Sequence, residues 1–294
     1  MIRYPADQAT EAEADRHGIP YPVLIRDLVR IVEVLNLERQ GFFGPQSVLA
    51  GSLALRCFNT PRFTVYDADF ATTVEAKRGR SEMHDMLRYV DDDLEITPAE
   101  LMPHDTGGTA WKSEPIAYLP AFTDLAPDGT REFKADISNR GLVLPGQEHQ
   151  LHLPYDLGIW DEPPVVWIMD PHEITVEKVL GWVVHRAAKH YADLAFIALA
   201  GQPESGPLLR LDRTTLRNAL AAKLEAMRGI QPDKYASFAS LDDVVRALRA
   251  DPVFSRDEWD RLVYLRPLRD RFNQATLKRA VQTLLVPLLL SEGD

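Results

Sequence analysis

The spacing of apolar residues predicts an α+β first half followed by a helical second half. Apolar positions recur at helical spacing over residues 23–35, whereas the runs at 65–72 and 131–138 have the pattern of strands. Residues 1–19 contain few apolar positions, and we expect them to form a loose arm. Strand signals largely end with an apolar run at 165–169, so helices are expected beyond it.

The second half opens with a helix start. Asp170 suits the N-cap, Pro171 suits the first turn, and Glu173 stands at the third position of a capping box. Helical periodicity continues from there, and three further amphipathic stripes follow. We therefore predict two domains, 1–169 and 170–294.

Two segments of the first half read mainly as loop. Residues 100–130 are rich in Pro, Gly and Asp, and we expect a single strand there, near 116–119. Residues 139–164 again contain several Gly and Pro residues. These segments separate the strand at 131–138 from the other predicted elements.

Composition and charge narrow the function classes. The sequence has 45% hydrophobic residues, a single cysteine that we expect to be buried, Cys57, and a formal net charge of −11. This charge argues against a protein that coats nucleic acid, because such binding depends on neutralising phosphates. RNA contact would require local basic groupings, which occur at 210–228 and 261–279. The alternative is that these charges form the solvent-exposed sides of helices. Without a membrane-length apolar run or a signal-peptide core, we expect a cytoplasmic protein.

The strongest chemical signal is a Gly-Ser pair followed by an Asp-x-Asp. On a strand, Asp67 and Asp69 point to the same face because side chains alternate. Two adjacent carboxylates repel each other, and Mg²⁺ relieves this because it takes oxygen ligands and shares them with substrate phosphates. Gly51 and Ser52, before a predicted helix at 53–58, offer a phosphate close approach, a hydroxyl and N–H groups. Either feature alone would indicate a solvated pair or a turn, but together they favour a joint metal and phosphate site.

These features resemble the signature of the polymerase-β-like nucleotidyltransferases. The matching elements are Gly51-Ser52-x-Ala54-Leu55, Arg62-x-Thr64 and Asp67-x-Asp69-Phe70. The pattern is most similar to the AbiEii branch, the toxins of AbiE-type and mycobacterial MenT-type toxin–antitoxin systems. That branch has a second glycine and a threonine where Ser52 and Leu53 stand here. The resemblance implies an α+β fold: a polymerase-β-like nucleotidyltransferase domain with a small mixed sheet, then a helical C-terminal region that completes the nucleotide site.

The resemblance also assigns roles to individual residues. Asp136 would be the third carboxylate of the metal site and would accept the proton of the attacking hydroxyl; the alternative is a surface aspartate on an edge strand. Lys178 would hold the donor triphosphate; the alternative is a lysine whose stem packs beside Trp182. In full, the implied nucleotide-binding residues are Gly51, Ser52, Arg62 and Lys178, the metal ligands Asp67, Asp69 and Asp136, and the catalytic residues Asp67, Asp69, Asp136, Lys178 and Asp193.

Helix geometry places a condition on two of these residues. In one straight helix, the fifteen residues from Lys178 to Asp193 would span about 22 Å of rise. The two side chains would then not meet around one nucleotide. We therefore expect the chain to turn near 188–191, the alternative being that Asp193 has a structural role.

By resemblance, the chain transfers a nucleoside monophosphate from an NTP to an acceptor hydroxyl, with Mg²⁺ or Mn²⁺ as the cofactor. The implied acceptor is the 3′ end of tRNA, whose modification blocks translation, and a cognate antitoxin is expected. Two alternatives remain open. The same site could modify a protein or a small molecule such as an antibiotic, or the chain could be a non-catalytic module that binds an antitoxin.

Overall fold

The structure, a computed structural model, describes residues 4–5, 7–58, 67–92, 94–103, 109–117, 133–138, 142–200, 210–250, 252–262 and 272–290. The chain forms two compact units. The first comprises residues 1–57 and 61–169, and the second comprises residues 58–60 and 170–294. The assignment of separate functional roles to two domains stays a prediction.

A mixed sheet forms the centre of the first unit. Among the residues described it has eight strands, in the spatial order β3-β4-β5-β6-β2-β1-β8-β7. Strands β2 and β6 run parallel to each other, as do β1 and β8, and the other neighbours are antiparallel. The strands are β1 (Ser47–Leu49), β2 (Asp67–Thr72), β3 (Tyr89–Val90), β4 (Leu94–Pro103), β5 (Thr109–Ala117), β6 (Phe133–Ser138), β7 (Gln147–Gln150) and β8 (Val165–Ile168).

Four helices of the first unit lie in the part of the chain that the structure describes. Helix α2 is almost entirely buried over residues 23–37, which confirms the helix predicted from the apolar spacing. The short helix α3 continues into a 3₁₀ turn at Leu55–Phe58, so this helix begins two residues earlier than predicted. The helices are α1 (Asp7–His17), α2 (Tyr21–Arg39), α3 (Gly51–Ala54) and α4 (Arg80–Leu87).

The prediction of a loose N-terminal arm is wrong. Residues 7–17 form α1, and its inward positions Thr10, Glu13 and Ala14 are buried. The Glu13 carboxylate accepts a hydrogen bond from the Asp156 backbone N–H at 2.9 Å. A polar contact distant in sequence therefore holds this helix, which periodicity alone does not reveal.

The prediction of a single strand within residues 100–130 is also incomplete. Strands β4 and β5 form a long antiparallel pair, with a register shift between Pro98 and Glu100. Prolines at 98, 103 and 115 interrupt the strand pattern in the sequence, because proline cannot donate to a ladder of hydrogen bonds. The irregularity at Pro98 lets the pairing continue past one of them.

The second unit is helical in the residues described, as predicted. Asp170 caps its first helix by accepting the His172 backbone N–H at 2.8 Å. No described helix is both long and apolar enough to cross a membrane. The helices are α5 (Pro171–His185), α6 (Ala188–Ala200), α7 (Arg213–Ile230), α8 (Pro232–Tyr235), α9 (Leu241–Arg249), α10 (Arg256–Arg261), α11 (Gln274–Ala280), which passes into a π-helical turn at Val281–Leu285, and α12 (Val286–Leu289).

Candidate active site

The pairing of β2 with β6 brings three carboxylates to one face of the sheet. In this parallel pair Asp69 is the direct partner of Asp136, and Asp67 lies two residues before Asp69. The opposite face is apolar and buried: its members are Ala68, Phe70, Ala135 and Ile137. Burial of that face fixes which residues point away from it, because successive side chains alternate. The core packing thus determines the position of the acidic residues.

Asp67, Asp69 and Asp136 form a compact acidic cluster. One carboxylate oxygen from each lies within 4.8 Å of those from the other two, and all three side chains are half-buried. Carboxylate oxygens are the ligands that hard divalent cations prefer, and a cation offsets the mutual repulsion of three adjacent negative charges. The residues present therefore fit a site for Mg²⁺ or Mn²⁺.

The Gly51-Ser52 turn lies directly against this cluster. The Ala50 backbone N–H donates to the Asp69 backbone carbonyl at 2.8 Å, and Gly51 has a φ of 62°. A Cβ added to Gly51 would lie 1.8 Å from Asp69 Oδ2, which no side chain could accommodate. Ser52 is buried at 8% exposure. Glycine at position 51 therefore allows both the left-handed backbone and the close approach of the turn to Asp69.

A buried ionic group lies behind this turn, and the sequence patterns do not single it out. Arg56, four residues after Ser52, donates to the Asp27 carboxylate, and both side chains are fully buried. Tyr155 Oη donates to the other oxygen of Asp27, Oδ2, at 2.8 Å. The available signal was weak, since it consists of charged residues inside the apolar patterns of α2 and the 53–58 helix.

The second unit places Lys178 and Asp193 in contact. Helix α5 ends at His185, Arg186 adopts a left-handed φ of 54°, and α6 begins at Ala188. The predicted turn is confirmed, although it lies a few residues before 188–191. Because the chain reverses there, Lys178 Nζ lies 2.8 Å from Asp193 Oδ2, and both side chains are buried.

His190 lies beside this ion pair. A Cβ added to Gly181 would meet the His190 ring at 3.0 Å, so the imidazole rests on the glycine backbone. Burial, and after it the charge of Lys178, lowers the pKa of His190 to about 3. The imidazole is therefore neutral at physiological pH.

Glu177, which precedes Lys178 in the sequence, contacts a different lysine. Lys223 Nζ lies 2.8 Å from Glu173 Oε1 and 3.0 Å from Glu177 Oε1. Burial lowers the pKa of Lys223, but the two glutamates outweigh it and the pKa is raised. Glu177 thus helps to join α5 to α7.

Most of the expected basic grouping at 210–228 has internal partners. Arg213 and Arg217 donate to the backbone carbonyls of Leu290 and Leu289 at the end of α12. Lys223 is buried between the glutamates described above. These three charges are therefore engaged within the unit. Arg62 and half of the basic residues of the grouping at 261–279, namely Arg266, Arg269 and Arg271, lie outside the described residues.

The chain is similar to a known protein family and to solved structures. A family model described as "Nucleotidyl transferase AbiEii toxin, Type IV TA system" matches residues 36–294. Among solved structures, the chain is similar to MenT4, a nucleotidyltransferase toxin from Mycobacterium tuberculosis H37Rv, at 15% sequence identity and a TM-score of 0.57, over 97% of this chain and 99% of that one.

A second similar structure is JHP933 from Helicobacter pylori. It is 15% identical with a TM-score of 0.44, over 92% of this chain and 94% of that one. No curated protein matches the sequence. At this identity, the likeness to MenT4 establishes a MenT4-like fold.

Proposed function

Because the chain belongs to the AbiEii family of nucleotidyltransferase toxins of type IV toxin–antitoxin systems, we propose that it transfers a nucleoside monophosphate from an NTP to the 3′ hydroxyl of tRNA. The observation that carries this proposal is the clustering of Asp67, Asp69 and Asp136 against the Gly51-Ser52 turn. Membership of a toxin–antitoxin family implies a cognate antitoxin. The acceptor is proposed from resemblance, because modification of a tRNA 3′ end prevents aminoacylation.

The three aspartates would hold Mg²⁺ or Mn²⁺. Such an ion would neutralise charge on the triphosphate and polarise the α-phosphate of the nucleotidyl group that is transferred. The aspartates supply only oxygen ligands, as such a cation requires. Their position is set by the sheet, so the metal ligands are preorganised in the fold.

The protein's own residues would then direct the transfer. Asp136 accepts the proton of the acceptor hydroxyl, whose oxygen forms a bond to the α-phosphorus. The bond from that phosphorus to the oxygen bridging the β-phosphate breaks, and pyrophosphate leaves with the bonding electron pair. Ser52 donates its hydroxyl hydrogen bond to the departing phosphates, and Gly51 allows the turn that contains Ser52 to lie against Asp69. Lys178 as a further triphosphate ligand, with Asp193 supporting it, stays a prediction from the resemblance.

The test is a labelling assay with purified protein, total bacterial tRNA, Mg²⁺ and each α-labelled NTP in turn. We expect label in tRNA with the wild type, and a reduction of about a thousandfold or more with Asp69→Asn. Asp85→Asn is the matched control, because the Asp85 side chain is 78% exposed and lies on α4 outside the acidic cluster. Removal of Mg²⁺ with a chelator should abolish the label, and Mn²⁺ should restore it.

Other outcomes would support the alternatives. Label that enters protein would indicate protein nucleotidylation, and label in a small molecule would indicate an antibiotic-type acceptor. An absence of label in every acceptor, together with no NTP binding by calorimetry, would contradict the proposed enzyme and favour an antitoxin-binding module.

A further inference from the structure

The turn that faces the acidic cluster has little structure of its own. Helix α3 and the 3₁₀ turn after it together span only residues 51–58. Isolated helices of this length are unstable in water, because nucleation is costly and few hydrogen bonds follow it. The pairing of β1 with β2 and the Ala50–Asp69 hydrogen bond fix the start of this segment beside Asp69. Its far end must therefore be held by other contacts in the first unit.

The group formed by Asp27, Arg56 and Tyr155 provides such contacts. Arg56 lies in the 3₁₀ turn, Asp27 lies inside the long helix α2, and Tyr155 lies between β7 and β8. All three side chains are buried, and Asp27 accepts hydrogen bonds from both of the others. The group thus ties the end of the 51–58 segment to an element that is itself packed along nearly its whole length.

Burying this ionic group needs a reason other than stability. Two charges removed from water lose hydration that their mutual attraction only partly returns, and apolar residues of similar size often stabilise a protein as well or better. Burial lowers the pKa of Arg56, but Asp27 and Tyr155 outweigh it and raise the pKa, so Arg56 stays charged. A planar, charged donor at this position provides direction, because its rigid fork restricts the geometry in which it can donate to Asp27.

We propose that Asp27, Arg56 and Tyr155 are positioning residues, which hold the Gly51-Ser52 turn at the distance from Asp69 that triphosphate binding requires. They act through the turn and have no contact with substrate. The functional part of this inference rests on the proposed nucleotidyl transfer. Its structural part, the fixing of the turn, is measurable without any substrate.

The test compares Tyr155→Phe with Tyr89→Phe. Both variants remove one tyrosine hydroxyl that donates to an aspartate, Asp27 in the first case and Asp91 in the second. Tyr89 lies on β3, and three strands separate it from β2, so it is a matched control within the same unit. Arg56→Lys is the second variant, since it keeps the charge and loses the planar fork.

Two readouts are taken on each full-length variant. Hydrogen exchange, measured by mass spectrometry on the protein alone, reports opening of residues 50–54. Transfer assays with Mg²⁺ and each of the four NTPs report KM and kcat. We expect faster exchange at 50–54 and about a fivefold higher KM for the NTP in Tyr155→Phe, with kcat changed less than twofold. Arg56→Lys should move both readouts in the same direction, and Tyr89→Phe should leave both unchanged.

The two readouts separate the inference from the proposed function. Unchanged exchange at 50–54 in Tyr155→Phe, or an equal change in Tyr89→Phe, would overturn the inference whatever the activity. If the wild type is active, an unchanged KM for the NTP in Tyr155→Phe would also overturn the inference. A wild type that transfers no nucleotide from any NTP, but whose Tyr155→Phe variant opens at 50–54 as expected, would overturn the proposed function and support the fixing of the turn.

Discussion

Asp69 is the side chain on which the geometry of the candidate site depends most. Its backbone carbonyl accepts a hydrogen bond from the Ala50 N–H, and its carboxylate fills the space that a side chain at Gly51 would occupy. Its cross-strand partner is Asp136. Substitutions at these neighbours therefore act on the same carboxylate. At this scale the chain permits tests in which one atom or one charge is changed.

Replacement of Gly51 by alanine should strongly lower activity with only a modest loss of stability. The new Cβ would lie 1.8 Å from Asp69 Oδ2, so the turn or the carboxylate must move. Gly158→Ala is a matched control, because Gly158 has the same φ of 62° and nothing within 4 Å of the added Cβ. Both variants should lose about 1–2 kcal/mol from backbone strain. Only Gly51→Ala should lower kcat/KM, by about a hundredfold or more; equal activity in the two variants would contradict this account.

The buried imidazole of His190 should make stability depend on pH. Its pKa falls from 6.5 in an exposed chain to about 3 in the folded protein, first through burial and then through Lys178. Between these values the unfolded chain binds a proton that the folded chain does not. The free energy of unfolding should therefore fall as the pH falls from about 6.5 towards 3, by at most about 1.4 kcal/mol per pH unit from this residue.

The measurement is urea denaturation of the wild type and His190→Gln at a series of pH values. The variant should show a shallower loss of stability below pH 6.5, since it has no group to protonate. His84→Gln serves as the control because it makes the same substitution at a histidine whose side chain is 45% exposed. Parallel curves for the wild type and His190→Gln would exclude His190 as the source of the dependence.

The sequence predicts the acidic residues of the candidate site better than it predicts the buried contacts that position the neighbouring Gly51-Ser52 turn. Asp67, Asp69 and Asp136 follow from strand alternation and a family pattern, and the structure brings them together. The contacts of Asp27 do not follow, because they join it to Arg56, 29 positions away, and to Tyr155, 128 positions away. The spacing of apolar residues predicts which face of a helix or strand is buried. It does not predict which distant side chain contacts that face.

At the scale of elements, the reversal between α5 and α6 determines which charges meet. Helical periodicity runs through residues 171–200 without an obvious break, and only the distance between Lys178 and Asp193 required one. The structure ends α5 at His185, and the left-handed Arg186 then donates its backbone N–H to the Trp182 carbonyl. The Arg186 guanidinium also lies over the Trp182 ring at 5.3 Å.

Helix α1 and strand β4 are two elements that the sequence pattern does not predict, for the same reason. Helix α1 has an acidic sequence whose buried positions are few, so its helical signal lies below that of α2. Strand β4 contains prolines, and its pairing with β5 supplies the regularity that its own sequence lacks. In both cases tertiary contacts decide the local structure against a weak local preference.

The Lys178–Asp193 pair should be strongly coupled in stability. Removing either partner leaves the other charge buried, so Lys178→Met and Asp193→Leu should each cost about 3–5 kcal/mol. The double variant should cost less than the sum, because no unpaired charge remains. Denaturation of the four proteins in urea measures the coupling directly.

An exposed ion pair of the same unit provides the comparison for this cycle. The Arg246 side chain is 77% exposed and contacts Asp243 at 3.2 Å. Arg246→Ala should cost less than about 1 kcal/mol, because exposed pairs gain little over solvated charges. Additive effects of Lys178→Met and Asp193→Leu would mean that the two side chains do not stabilise each other.

At the scale of the whole molecule, charge limits how the chain meets RNA. The formal net charge is −11, and Arg213, Arg217 and Lys223 have partners inside the second unit. Among the described residues, electrostatic attraction to phosphate should therefore be weak and local. Recognition of the proposed tRNA acceptor would then depend on its shape or on one end of the molecule.

Non-specific RNA binding should accordingly be negligible at physiological salt. We expect a 20-nucleotide poly(A) to bind with a dissociation constant weaker than about 10⁻⁴ M at 0.15 M salt, which is the weak end of non-specific affinities. Fluorescence anisotropy with labelled poly(A) measures this, with total tRNA as the comparison. Micromolar binding of poly(A) would show that the acidic composition does not limit RNA binding.

The single cysteine gives the chain a practical property. Cys57 is 4% exposed, and burial raises the pKa of its thiol to about 12, so almost no reactive thiolate forms at neutral pH. Maleimide reagents should therefore leave the native protein unmodified. A cysteine introduced at Val253, a residue that is 86% exposed, would then be the site that reacts with a maleimide fluorophore. For site-specific labelling, the natural sequence therefore behaves like a cysteine-free background. Fluorescence of the attached label would then report binding of an acceptor or an antitoxin.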